Sequence, residues 1–180
     1  YLNCYYDDYP NYDKLNWNSL LKDIHDVLVD HFSNSNDVLI YKYGHRLDRD
    51  YYEGADVLNI RPNIEFYGAE VEANQLIDES DVIIAFQTTV LLEALFTEKP
   101  VIYIGWGDVF DELKDTLIDY HKLAERKGII HADSKNTFRE ILNDYTKREE
   151  DTDFYERKIY RESYMNSYNG NVASNFVDII

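Results

Sequence analysis

The stretch DVIIAFQTTVLLEALFTEKPVIYIG, from Asp81 to Gly105, decides the fold. Val82 to Phe86 are apolar without alternation, the pattern of a strand buried on both faces of a parallel sheet. Gln87, Thr88 and Thr89 then interrupt the run with polar side chains suited to a helix N-terminus. Val90, Leu91, Ala94 and Leu95 recur at helical spacing, with Glu93 on a different side of the turn. Glu98-Lys99-Pro100 stops the helix, and Val101 to Ile104 supplies a second buried strand. Strand, hydroxyl-bearing turn, helix and strand make a βαβ crossover. In such sheets ligands bind outside the carboxyl ends of the strands, where the free N–H groups of a helix N-terminus favour an anion. Gln87 to Thr89 is therefore the first place to look for a site.

The same alternation extends outward from this unit. Upstream, Tyr1 to Tyr6 read as a strand and Asp7 to Asn16 as a loop. Trp17, Leu20, Leu21, Ile24, Leu28 and His31/Phe32 follow the pattern of an amphipathic helix that Ser33 to Asn36 ends. Val38 to Tyr43 form a β-branched and aromatic strand closed by Gly44. Residues 44–63 show no period and read as a long loop, a kind that is often functional. Ile64 to Tyr67 make a short strand closed by Gly68, and Val71 to Ser80 a helix with Leu76 and Ile77 inward. Downstream, Asp108 caps a helix carrying Phe110, Leu113, Leu117 and Ile118, and Gly128 ends a further helical turn. Ile129 to Ala132 are the last strand, and Ser134 caps a helix from Phe138 to Tyr145. Lys147 to Glu156 lead into a helix through about Tyr168. Asn169-Gly170 breaks it before a terminal helix, from Asn171 or Ser174, with Val172, Phe176 and Val177. Strands alternating with helices predict an α/β fold: a doubly wound parallel sheet with helices on both faces, joined by right-handed crossovers.

At 180 residues the chain fits one domain, 1–180. Hydrophobic residues make up 44%, and no apolar run approaches the roughly 18 to 20 residues of a membrane span. No charged leader with an apolar segment begins the sequence. It starts at Tyr1 without a Met, in what reads as a strand already under way, so a piece of a longer protein is expected. The single cysteine, Cys4, has no intramolecular disulfide partner and fits a reducing, cytoplasmic setting. The net charge of −17, from 18 Lys+Arg against 35 Asp+Glu, repels nucleic acid and anionic lipid. Solvated faces account for most of that acidity. Lys42, His45, Arg46 and Arg49 form a basic island within it. The seventeen tyrosines have no fixed spacing.

Two readings stand for each candidate residue. The Thr88 and Thr89 hydroxyls either cap a helix or hold phosphate oxygens. Glu93, one turn into the helix, is either a solvated carboxylate or an acceptor for two ribose hydroxyls. His45 and Arg46 follow the strand that ends at Tyr43 and so belong to the same carboxyl edge as Thr88. There Arg46 would pair with phosphate and His45 would donate to it or move a proton; otherwise His45 is structural. His25, His31, His121 and His131 show no metal-ligand spacing, so neither a metal nor a cofactor is expected. Asp7-Asp8, Thr88 and Lys99 invite comparison with phosphate-receiver domains, but Tyr67-Gly68 stands where those need an Asp, and Lys99 precedes its strand.

Taken together, ESDVIIAFQTTVLLEALFTEKPVIYIG, the preceding FYGAEVEANQLID, VLIYKYGHR and the ending SYNGNVASNFVDII resemble the C-terminal half of GT-B glycosyltransferases over roughly residues 37 to 180. Within that group the chain is most similar to the capsule-polysaccharide and CDP-glycerol glycerophosphotransferase type. The resemblance implies a Rossmann-like domain in which Thr88 and Thr89 hold the donor's phosphates and Glu93 its ribose, with Gln87 where a small Ser or Asn is common. His45 would match the His of the group's His-Pro motif, here followed by Arg46. It also implies a nucleotide-activated sugar or CDP-glycerol as partner, a role in cell-envelope polymer synthesis, and an N-terminal acceptor half that this chain lacks. On that basis the isolated domain binds donor but does not turn it over. The alternatives are a non-catalytic nucleotide-binding or scaffold module of the same fold and half of a sugar-nucleotide epimerase.

Overall fold

A computed structural model of the chain describes residues 14–42, 63–68, 70–86, 88–113, 118–144 and 152–165. Helix α1, Lys14–Asn34, begins three residues inside the expected loop. It buries Leu20, Ile24, Val27, Leu28 and Phe32, one stripe at the three- and four-residue steps of a helix. Strand β1, Leu39–Lys42, lies parallel to β2, Ile64–Tyr67, with Leu39 opposite Ile64 and Lys42 opposite Tyr67. Helix α2, Ala73–Glu79, buries Leu76 and Ile77. The unit read first from the sequence follows as β3 (Ile83–Ala85), α3 (Val90–Ala94) and β4 (Val101–Ile104). After α4 (Gly107–Leu113) and α5 (Tyr120–Glu125) comes β5 (Ile130–Ala132), then α6 (Lys135–Asn143) and α7 (Phe154–Met165). Strands β3, β4 and β5 form a parallel ladder in sequence order, alongside the parallel pair β1–β2. The protein is thus α/β, with parallel strands in two small sheets connected through helices.

The strand side chains explain why β3 and β4 carry no polar alternation. Ile83, Ala85, Val101 and Tyr103 join one apolar cluster, together with Leu91 and Leu95 around α3, Leu123 of α5 and Tyr160 of α7. Ile84, Ile102 and Ile104 join the other, with the buried stripe of α1, Leu39 and Tyr41 of β1, Ala132 of β5, and Phe138 and Ile141 of α6. Successive residues of a strand point to opposite sides, so each strand feeds both clusters in turn. Helices α1 and α6 are further joined at their surfaces by Lys135 Nζ to Asp23 at 2.8 Å and to Asp26 at 3.0 Å. His25, buried in α1, sets its Nε2 3.4 Å from the Tyr41 hydroxyl.

Several helix ends differ from the sequence expectation. Ser134 caps α6 by accepting the Thr137 N–H, as its residue type predicts. Asp108 is not the cap of α4: the helix is entered at Gly107, whose positive φ of 82° is non-helical and suits glycine, so Asp108 lies in the first turn. At the end of α5 the left-handed residue is Lys127, at φ 61°, rather than Gly128. Gly128 is required for another reason, since a Cβ built on it would lie 2.2 Å from Leu123 Cδ1. The expected strand at residues 1–6, the loop at 44–62 and the terminal helix beyond Asn169 lie outside the described residues.

Arg157 holds the approach to β4 and β5. It is 1% exposed. Its Nη1 donates to the carbonyls of Thr97 at 3.1 Å and Lys99 at 2.8 Å, and its Nε to the carbonyl of Gly128. Carbonyl dipoles take the place of the usual carboxylate. Burial pulls its pKa down to about 10, which leaves the guanidinium charged at neutral pH.

Candidate functional site

Parallel pairing sends the carboxyl ends of β3, β4 and β5 in one direction, and the segments leaving them carry Phe86 and Thr88, Gly105 to Gly107, and Asp133. Thr88 is half-buried. Its Oγ1 accepts the Val90 N–H at 3.3 Å, so this hydroxyl, and not that of Thr89, satisfies an early amide of the turn. The Thr88 carbonyl accepts two hydrogen bonds, from Leu91 N–H at 3.2 Å and from the Tyr120 hydroxyl at 2.8 Å. Thr89 occupies the cap position in helical conformation, φ −64° and ψ −24°, and its side chain makes no cap hydrogen bond. That hydroxyl is exposed to solvent beside the turn. Glu93 is half-buried one turn further on, and among the described residues its carboxylate has no hydrogen-bond or ion-pair partner.

Thr88, Thr89 and Glu93 therefore share one short segment after β3. Gln87, His45 and Arg46 lie outside the described residues. Lys42, the first member of the basic island, is committed elsewhere: its Nζ donates to the Gly68 carbonyl at 2.7 Å. The Gly68 N–H in turn donates to Glu70 Oε1 at 2.8 Å. Backbone N–H groups of Glu70 and Gly68 hold the Glu70 carboxyl below its usual range, with Lys42 adding to the effect. Lys99, from the Lys-Pro-Val of the central stretch, is also structural. Its Nζ donates to the carbonyls of Ile77 at 2.8 Å and Asp78 at 2.6 Å, the C-terminal end of α2, where a cation is favoured.

Two residues of this region were given no part in the site by the sequence. Tyr120 is fully buried and reaches Thr88 across 32 positions of chain, a partnership with no local signature. His131, in β5, is half-buried between Tyr103, at 5.2 Å between ring centroids, and Phe110, at 5.8 Å. Its Nε2–H donates to the Gly105 carbonyl at 3.0 Å, which fixes the tautomer. Burial lowers its pKa against the opposing pull of Gly105 and Asp133, and His121 lowers it further. Among the described residues no group of three or more His, Cys, Asp or Glu side chains is placed to hold a metal ion. No described helix is long and apolar enough to cross a membrane.

Comparison with known proteins finds no family model, no curated protein and no solved structure that matches this chain.

Proposed function

We propose that this chain is the donor-nucleotide-binding half of a GT-B-type glycosyltransferase or glycerophosphotransferase, acting in the synthesis of a bacterial capsule polysaccharide or teichoic-acid-like polymer. One observation carries the reading: a buried parallel strand, a turn in which the Thr89 hydroxyl makes no cap hydrogen bond, and Glu93, one helical turn later, whose carboxylate has no partner among the described residues. In this reading the two small sheets belong to one doubly wound, Rossmann-like sheet. Thr88 and Thr89 bind the diphosphate of a sugar nucleotide or CDP-glycerol, with Gln87 lining the same turn. Glu93 accepts the ribose hydroxyls. Arg46 and His45, which follow β1 in sequence, serve the diphosphate, Arg46 as a fixed charge and His45 as the proton-moving group.

The reaction then takes place in the cleft against an acceptor-binding half that this chain does not contain. Nucleotide-activated donors are cytoplasmic, so the protein works there, peripheral to the membrane through that other half. Thermal melting with a panel of nucleoside diphosphates and nucleosides at millimolar concentration tests the reading, because a ligand that binds only the folded state raises the melting temperature by mass action. A rise with CDP or UDP supports it. No shift with any nucleotide overturns it, and release of nucleotide from CDP-glycerol or a sugar nucleotide by the isolated chain contradicts the half-site assignment.

A further inference from the structure

Tyr120 has no role in the donor-binding scheme above, yet it reaches the Thr88 turn from the start of α5. Its ring is fully buried, 5.5 Å from Tyr103 and 6.2 Å from Tyr160 between centroids. Its hydroxyl donates to the Thr88 carbonyl at 2.8 Å. That carbonyl also accepts the Leu91 N–H, the bond that starts the first turn of α3. A carbonyl oxygen has two lone pairs, and here both are assigned. The residue before Tyr120 is tied in the opposite direction: Tyr160 of α7 donates its hydroxyl to Asp119 Oδ1 at 2.8 Å. Two hydrogen bonds, joined through the Asp119–Tyr120 peptide link, thus connect α7 to the turn, and buried aromatic packing flanks them.

We infer that Tyr120 is a positioning residue that fixes the conformation of the Thr88-Thr89 turn, and that α7, through Tyr160 and Asp119, holds Tyr120 in place. A helix of five residues is too short to keep its own first turn formed, because helix nucleation is unfavourable and isolated short helices are marginal. The second hydrogen bond to Thr88 supplies from outside what α3 lacks in length. The consequence for ligand binding rests on the nucleotide reading of this turn: a turn ordered in advance loses less freedom when a phosphate binds. The mechanical claim does not depend on the identity of the ligand.

The experiment separates the two. Amide hydrogen exchange is followed residue by residue in wild type, Tyr120→Phe and Tyr160→Phe, each checked by melting to be folded. Tyr120→Phe keeps the ring and removes only the hydroxyl. The expected result is fivefold or more faster exchange at Leu91 and Leu92, with Ile102 and Tyr103 of β4 unchanged, and a smaller change of the same sign in Tyr160→Phe. Unchanged exchange at Leu91 in Tyr120→Phe overturns the inference, as does an equal acceleration at β4, which would report global destabilisation. Calorimetric titration with CDP and UDP supplies the second readout. If wild type binds, Tyr120→Phe is expected to weaken the diphosphate about fivefold and the nucleoside less; equal diphosphate affinity overturns the positioning role. If wild type binds no nucleotide, the functional proposal falls, and the exchange data still decide whether Tyr120 orders the turn.

Discussion

Arg157 and Gly128 are joined by a hydrogen bond from the guanidinium Nε to the carbonyl two residues before β5. Among the described residues that buried cation has no ion pair, so its three carbonyl partners, together with the Phe154 ring whose centroid lies 5.0 Å from the guanidinium carbon, offset its desolvation. Arg157→Met removes the charge but leaves three carbonyls short of a donor. The expected loss is about 2 to 4 kcal/mol, read as a lower urea midpoint at unchanged slope. Arg126→Ala is the comparison. It breaks an exposed pair with Glu156 at 3.5 Å, and the midpoint should barely move. Equal stability of Arg157→Met and wild type would show that the carbonyl contacts contribute nothing net.

His25 makes stability depend on pH. Burial lowers its pKa from 6.5 to about 4, partly opposed by Asp26, so the folded protein keeps it neutral where the unfolded chain protonates it. The unfolded state then binds more protons between pH 6.5 and about 4, and stability falls as pH falls through that window. Fully expressed, the effect is on the order of 3 kcal/mol. Urea titrations of wild type and His25→Phe at pH 7.5, 6, 5 and 4 should show the gap between the two proteins changing by that order below pH 6.5 and staying constant above it. A constant gap throughout would mean that His25 does not titrate on unfolding.

The end of α5 gives two substitutions of opposite sign at neighbouring positions. Lys127 adopts the left-handed conformation that a side chain disfavours, so Lys127→Gly should stabilise by roughly 0.5 to 1 kcal/mol. Gly128→Ala should destabilise by about 1 to 3 kcal/mol, because the new methyl meets Leu123 Cδ1 at 2.2 Å and Cγ at 2.7 Å in a filled core. Melting curves of the two variants measure both signs, and a stabilising Gly128→Ala would show that Leu123 can move aside.

The site variants separate ligand contacts from structural ones. Thr89→Ala should change stability by less than about 0.5 kcal/mol, since that hydroxyl caps nothing. On the nucleotide reading it should weaken CDP or UDP about tenfold, the scale of a lost hydrogen bond to a charged group. Glu93→Gln should weaken nucleosides and nucleotides alike while leaving the melting temperature of the free protein unchanged, because Gln and Glu are similar helix formers. Thr88→Val should cost roughly 0.5 to 1 kcal/mol of stability through the lost acceptor for the Val90 amide. Calorimetry and melting on all three, with equal affinities across the set, would remove the assignment.

Much of the architecture was legible because it rests on local pattern. The stripe of α1, the apolar runs of β3 and β4, the Ser134 cap and the inward Leu76 and Ile77 each follow from residues a few positions apart. What sequence reasoning missed is tertiary. Arg157 reads as one more charge on a helix until its three carbonyls, about 30 to 60 positions away, are brought to it. Lys42 reads as one member of a basic island and Lys99 as part of a helix stop, and neither pattern shows that both are spent on backbone carbonyls. Thr88 and Thr89 look equivalent in sequence, and only the backbone conformation shows which hydroxyl is engaged.

The division of β3 and β4 between two apolar clusters bears on how the chain avoids pairing wrongly. In a strand with one wet face, a slip by one residue turns the greasy side outward and is rejected at once. Here a slip would exchange Ile84 for Ala85, or Ile102 for Tyr103, and every side chain would still find oil. Solvation cannot proofread such a ladder. The discrimination has to come from size: the tyrosine ring of β4 sits opposite the smallest residue of β3, Ala85, while isoleucine faces isoleucine on the other side. Errors in this sheet would therefore surface as voids and overlaps rather than as exposed surface, and volume-changing exchanges at Ala85 or Tyr103 should produce misaligned but soluble protein.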